Sequence, residues 1–309
     1  MIYDVCVIGG GPAGIFGAYY SCSRGLQTIL LEGNSDLGGR MHYYLQAQIY
    51  DVPGEFGITG ESYLNKLVQQ LEKSDATIQL NTYVKQVEEQ ENCLEIHTSN
   101  GKVRAKTILI ATGNGFIIPK RIHDGRFNPT SLSKIKYHTP TFHPKTNAIA
   151  VIGHTPTAID WVLQAKQAGY YTHLFTYKTL NLQPMLLDAL VLEKIPITLW
   201  SKVETLTIKD NQISINQQPF DDVYGHIGTN KGIISYPLAI VQKDNGLTNH
   251  PSIFIAGDAR YEPGKIKLLI GAMHDAMQAV NAITQRLYPN EYYQPIVSTH
   301  HPIFKEWER

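Results

Sequence analysis

Short runs of consecutive apolar residues recur along this chain, separated by glycine-rich turns and by stretches of helical spacing. Val5-Cys6-Val7-Ile8 and Thr28-Ile29-Leu30-Leu31 are the first two. Runs this short and continuous suit strands buried on both faces of a parallel sheet. Between them residues 15–24 read as a helix, which Gly25 ends. Residues 61–73 place Leu64, Leu67 and Leu71 at helical spacing. Residues 77–80, 83–88, 93–98 and 103–106 read as short strands, with Ser99-Asn100-Gly101 as a hairpin turn. Residues 107–113 read as another buried strand, 148–153 as the next, 158–168 as a helix and 172–176 as a strand. A last apolar run, residues 252–258, ends in Gly-Asp and leads into an Ala- and Met-rich helix over 268–288.

Strand and helix alternate, and the alternation starts twice, which predicts an α/β fold of two Rossmann-like dinucleotide-binding domains. The second is inserted into the first. Prolines at 119, 129, 140 and 144 loosen the pattern after Gly113 and mark a crossing near residues 114–120. The first domain is expected over residues 1–116 and 232–309, and the second over 117–231.

Composition narrows the class. With 43% hydrophobic and 17% charged residues in 309, the chain has an ordinary core and is not disordered. Lys plus Arg and Asp plus Glu are each 27, so no net charge favours nucleic acid or an anionic membrane. Cys6, Cys22 and Cys93 form no C-x-x-C pair, which excludes a redox dithiol or zinc knuckle read from spacing. Cys6 and Cys22 read as small packing residues. Sparse cysteine, the lack of a secretory leader pattern and the lack of any run of 18 apolar residues point to the cytoplasm.

The first turn carries the chemistry. Gly9-Gly10-Gly11-Pro12-Ala13-Gly14 is a G-x-G-x-x-G fingerprint with a strand before it and a helix after it. Gly9 permits the tight turn, Gly11 lets a pyrophosphate approach the backbone, and Gly14 lets helix and strand pack. The helix N-terminus offers free N–H groups to phosphate. Glu32 ends the second strand, 23 residues after Gly9, where a carboxylate meets ribose hydroxyls. The stretch over residues 33–60, with Gly38-Gly39-Arg40 and Tyr50, reads as a loop lining the cofactor.

These landmarks, with Leu37-Gly38-Gly39, Ala111-Thr112-Gly113 and Ala256-Gly257-Asp258, resemble the thioredoxin-reductase-like flavoproteins over essentially the whole chain. The stretch from Tyr261 through Glu262, Pro263, Gly264 and Lys265 to Leu268, the Ser-Thr tail and the missing C-x-x-C resemble the bacterial ferredoxin– or flavodoxin–NADP reductase branch. The resemblance implies a two-dinucleotide-binding-domain flavoprotein holding FAD. It implies cofactor contacts from Gly9, Gly11, Pro12, Ala13, Gly14, Glu32, Gly39, Arg40, Val84, Ala111, Thr112, Gly113, Gly257, Asp258, Lys265, Ile266 and Thr299. Tyr50 is expected to stack on one flavin face, and His300 or His301, from a tail crossing a homodimer, on the other. Ferredoxin or flavodoxin is the expected protein partner. Arg260, Lys265 and Lys267 are candidates for docking it, beside the plainer reading of a solvated face.

The second fingerprint departs from the family pattern. Its loop reads Gly153-His154-Thr155-Pro156-Thr157-Ala158, and Thr155 replaces the glycine that pyrophosphate approaches. Pro156 removes an N–H. After the next strand stands Thr176-Tyr177-Lys178, where NADPH users carry an arginine pair for the 2′-phosphate. NADPH, NADH or neither therefore remain open at this point. The leading expectation is an FAD-dependent electron-transfer enzyme. The alternative is an FAD-binding protein that has lost pyridine-nucleotide reactivity, reduced directly by ferredoxin or serving as a flavin sensor. A disulfide reductase working on an external thiol is a third reading.

Overall fold

The computed structural model describes residues 1–113, 117–138, 140, 147–182, 184–209, 212–231 and 246–290. The chain separates into two compact units, Met1–Phe116 with Gly232–Arg309, and Ile117–Lys231. Numbered in chain order, the first unit opens with β1 (Tyr3–Ile8), α1 (Pro12–Ser23), β2 (Thr28–Leu31), β3 (Gln48–Ile49), β4 (Ile58–Thr59) and α2 (Gly60–Glu72). β5 (Thr77–Gln79), β6 (Val84–Glu89), β7 (Leu94–Thr98) and β8 (Gly101–Ile110) follow. The second unit holds β9 (Ile117–Pro119), α3 (Pro129–Ser133), β10 (Ala148–Gly153), α4 (Pro156–Gln167), β11 (Tyr171–Thr176), α5 (Pro184–Leu192) and β12 (Ile197–Leu199). It continues through β13 (Leu206–Lys209), β14 (Gln212–Ile215), β15 (Gln218–Phe220), β16 (Asp222–His226) and β17 (Thr229–Lys231). β18 (Ile253–Ile255) and α6 (Leu269–Leu287) complete the first unit.

In the first unit β5, β2, β1, β8 and β18 lie side by side, every neighbouring pair parallel. β2 is buried throughout and β1 at all but its first position, as their unbroken apolar sequences require. α1 packs on α6 and α2. Small residues set that spacing: a Cβ on Gly17 would stand 2.8 Å from Leu109 Cδ2 and 3.5 Å from Ala276 Cβ. A different set of buried residues, including Cys6, Ile29, Ile96, Ile108 and Ile253, packs as a separate core cluster. Burial pushes the Cys6 and Cys22 thiols above the ordinary thiol range, which fits packing residues and not nucleophiles.

Two local expectations are corrected here. Residues 103–113, read as two strands, form one, Gly101–Ile110. No turn-forming residue stands at Lys106-Thr107. The first half of β8 is mostly exposed and pairs antiparallel with β7. The last four residues are wholly buried and run parallel to β1 and β18. One strand thus leaves an antiparallel meander and enters the core, and the change of exposure imitates a boundary. Residues 33–60, read as loop, contain a 3-10 turn at Gly39–Tyr43 and the small antiparallel pair of β3 and β4.

The second unit has a parallel sheet in the order β12-β11-β10-β16, an antiparallel sheet of β13, β14 and β15, and the pair of β9 and β17. Trp161, Phe175, Trp200, Phe220 and Tyr224 are buried in it. At its periphery the Trp200 indole N–H donates to Asp124 Oδ2 at 2.9 Å, and Arg126 Nη2 donates to the same oxygen at 2.7 Å. The Arg126 guanidinium first, then the Trp200 N–H, hold the Asp124 carboxyl down at about 2. An unfolded aspartate titrates near 3.9. A depressed carboxyl contributes stability that is complete above the unfolded value and is lost as pH falls through the folded one. Tryptophan-monitored melting of the wild type should therefore lose a few degrees between about pH 4 and 2 that Asp124→Asn does not lose. Equal acid sensitivity in the two proteins would show that this contact contributes nothing. Among the described residues no helix is long and apolar enough to cross a membrane.

Candidate functional site

The fingerprint loop leaves β1 at Ile8 and enters α1 at Pro12. Gly9 has φ +104, and a Cβ there would lie 2.7 Å from the Ala111 carbonyl oxygen. A Cβ on Gly14 would stand 1.7 Å from the Gly9 oxygen. Both positions are closed to any side chain, because loop, helix and the residues after β8 touch there. Gly11 differs: a Cβ added to it would meet nothing within 4 Å. It caps α1 without a side-chain acceptor, so the first-turn N–H groups of Ala13 and Gly14 are left without an intrahelical partner. The first turn carries no acidic residue. Open space before a helix N-terminus, walled by glycine, suits a phosphate.

Glu32, Gly39, Thr112 and Gly257 lie around this opening. Glu32 is 6% exposed, and its Oε2 accepts the Gly10 N–H at 2.6 Å. Its Oε1 accepts the Asn34 backbone and side-chain N–H groups at 2.8 and 2.9 Å. The carboxylate thus shapes the glycine loop, and Oε2, which accepts one bond, keeps a lone pair for a ribose hydroxyl. Gly38 N–H donates to Gly10 O at 2.7 Å, and a Cβ on Gly39 would stand 3.1 Å from Gly11 Cα. Gly257, at φ +66, sits so close to α1 that an added Cβ would stand 2.8 Å from Ala13 Cβ. Thr112 follows β8 against Gly9, and Gly113 after it has φ +60.

Tyr50 is 59% exposed, donates its hydroxyl to Gln48 Oε1 at 2.6 Å and meets Phe56 edge-on at 5.2 Å. Val84 is buried at the head of β6, Arg40 is exposed, and Ile266 is 74% exposed. Thr299, His300 and His301 lie outside the described residues. Asp258 sits in the 3-10 turn Gly257–Ala259, not at the start of α6. Tyr44, which sequence reasoning passed over, stands among these groups. Burial above all, with the Asp51 and Asp258 carboxylates against Arg40, pushes its hydroxyl up to about 12.

In the second unit the corresponding loop is filled differently. Thr155 Oγ1 accepts the Ala158 N–H at 3.2 Å and lies 2.6 Å from His226 Nδ1. Pro156 lacks an N–H just as Pro12 does at the start of α1, but with the Ala158 N–H taken by Thr155 the start of α4 keeps one donor fewer for a phosphate than the start of α1. Burial first, then the Lys178 and Lys120 ammoniums, hold the His154 imidazole below the usual histidine range. His154 Nδ1 is buried without a hydrogen-bond partner, and neither lysine has an ion pair among the described residues. Strand register accounts for the meeting: His154 and Lys178 follow the paired ends of β10 and β11, and Lys120 N–H donates to Gly228 O just past β16.

A family model described as pyridine nucleotide-disulphide oxidoreductase matches residues 3–219. The chain belongs to that family. It is 32% identical over 335 aligned positions to a protein named ferredoxin–NADP reductase 3 of Lysinibacillus sphaericus, covering 100% of this chain and 96% of the relative. A second ferredoxin–NADP reductase, from Latilactobacillus sakei, is 30% identical and covers 96% of this chain and 97% of the relative. Among solved structures, Lactococcus lactis thioredoxin reductase superposes with a TM-score of 0.70 at 22% identity, covering 93% of this chain and 99% of that one. As a pyridine nucleotide-disulphide oxidoreductase with such relatives, the chain is an FAD-dependent oxidoreductase with two Rossmann-type domains.

For this oxidoreductase the docking expectation for Arg260 and Lys265 is corrected. Both side chains are only 12% exposed and both bind the buried Asp275, Arg260 at 2.8 Å. They neutralise an internal carboxylate and present no cationic face. Lys267 is 56% exposed and lies 4.0 Å from Asp258. Asp275 itself escaped the sequence reading, although a lone carboxylate beside Ala272, Ala276 and Ala279 on an apolar helix face was a visible signal.

Proposed function

We propose that this enzyme carries electrons between NADPH and a one-electron carrier of the ferredoxin or flavodoxin type, in the cytoplasm and as a homodimer. The observation carrying this reading is the end-to-end match with proteins named ferredoxin–NADP reductase, in a chain that has no C-x-x-C motif. When bound, FAD supplies the exchange between two-electron and one-electron carriers. The protein's part is to bind and orient. Gly11, Ala13 and Gly14 receive the pyrophosphate, Glu32 the adenosine ribose, and Gly257 and Asp258 the ribityl side. Gly39, Arg40, Val84, Ala111, Thr112, Gly113 and Ile266 complete the enclosure. Tyr50 covers one face of the ring. Thr299 with His300 or His301 covers the other, from a second copy of the chain. Lys120, His154 and Lys178 receive the nucleotide 2′-phosphate in the second unit. Three like-charged or chargeable groups with no carboxylate among them favour an anionic ligand.

An anaerobic titration of the yellow protein with NADPH, then with NADH, tests the assignment. NADPH is expected to bleach the flavin band, with NADH slower, and the reduced protein is expected to pass electrons to ferredoxin. Failure of both nucleotides, with full reduction by reduced ferredoxin, would remove the nicotinamide half of the proposal.

A further inference from the structure

We infer that Asp275 is a positioning residue for the Gly257-Asp258 turn, acting through a charged strap formed by residues 260–268; this rests on the FAD reading above. Asp275 is 4% exposed near the middle of α6. Its Oδ1 accepts Arg260 Nη1 at 2.8 Å, and its Oδ2 accepts the Lys265 ammonium. Arg260 also reaches Glu262 at 2.9 Å. Lys265 Nζ donates onward to the Gly257 carbonyl at 2.7 Å, and Lys267 Nζ lies 4.0 Å from Asp258 Oδ2. Two lysines, two positions apart in the strap, thus reach back to two consecutive residues of the turn.

Charge does more than apolar packing to place the strap. It contains no helix or strand, and Tyr261 and Ile266 are 79% and 74% exposed, so apolar burial does not anchor it. What it holds is placed with little tolerance. Gly257 is in the left-handed region and packed against Ala13 in the first turn of α1. The Lys265–Gly257 bond therefore sets the gap between the turn and the helix end that faces the pyrophosphate. Replacing a buried ion pair by apolar groups is often neutral for stability, so stability alone is a weak reason for this network. Fixing the carbonyl of Gly257 is a use that an apolar side chain could not serve.

The test compares Lys265→Met, Asp275→Asn and wild type. FAD is removed and rebound, with affinity followed by flavin fluorescence and the bound flavin by its visible spectrum and midpoint potential. Lys265→Met keeps the Arg260–Asp275 pair. It is expected to leave the apoprotein melting point within a few degrees of wild type, to weaken FAD binding about tenfold, as loss of one charge-assisted hydrogen bond would, and to shift both flavin readouts. Asp275→Asn should do the same or more where it folds. Wild-type affinity, spectrum and potential in Lys265→Met would overturn the inference. A wild-type protein that binds no FAD at all would instead overturn the functional reading beneath it.

Discussion

Gly11→Val should yield a folded protein without colour, whereas Gly14→Ala should yield little folded protein. The two glycines lie three residues apart in one loop, but a side chain meets opposite conditions at each. Gly11 has φ −74 and ψ −179, a conformation valine adopts readily, and nothing lies within 4 Å of its added Cβ. The folded apoprotein has no reason to reject the substitution. The isopropyl group would, however, fill the opening in front of the α1 N–H groups. FAD affinity should fall at least about 100-fold, equivalent to about 2.7 kcal/mol. At Gly14 the clash is with backbone, 1.7 Å from the Gly9 oxygen, and neither loop nor helix can move without disturbing the packing on Ala111 and α6. Overpacking of this kind should lower the melting point by more than about 5 °C. Flavin absorbance relative to protein absorbance, with melting of each apoprotein, separates the outcomes. A Gly11→Val protein that kept FAD at wild-type affinity would place the pyrophosphate elsewhere.

That contrast shows what the sequence could disclose. The tight turn at Gly9, the open approach at Gly11 and the close packing at Gly14 were legible in spacing alone, because a strand, a tight turn and a helix admit few ways to bring three glycines together. The place of Glu32 at the end of β2 beside the loop was legible in the same way, although its bonds to Gly10 and Asn34 add a structural duty that spacing does not suggest. Long-range pairings were less legible. Arg260 and Lys265 look in sequence like a basic surface patch, because their partner Asp275 stands 15 and 10 residues away on a helix whose orientation sequence does not specify. Tyr44 carries no motif, and only the fold brings it near Asp258. β8 was cut in two because its polarity changes midway, although its backbone does not. Local rules were read correctly where one element decided the outcome and failed where two distant elements shared it.

The second unit supplies the other large effect: Lys120→Gln with Lys178→Gln should abolish discrimination between NADPH and NADH. Thr155 weakens the backbone end of the nucleotide site, since its hydroxyl takes the Ala158 N–H, whereas no side chain caps the start of α1. Phosphate affinity then depends on side-chain charge. A hydrogen bond to a charged partner contributes about 1.5 kcal/mol or more, so losing two should weaken NADPH about 100-fold. NADH, lacking the 2′-phosphate, should change little. Wild-type NADPH affinity should also fall as salt rises, with a shallower dependence in the double variant. His154 adds a pH signature. Burial first, then Lys178 and Lys120, lower the pKa of its imidazole in the free protein, while a bound phosphate opposes them and raises it. NADPH should therefore bind more tightly as pH falls toward the histidine range, with uptake of a proton, and His154→Gln should flatten that slope. Calorimetric titration at several pH values measures both effects. Equal losses for NADPH and NADH in the double variant would mean that the lysines hold the pyrophosphate and that the 2′-phosphate is read by other residues.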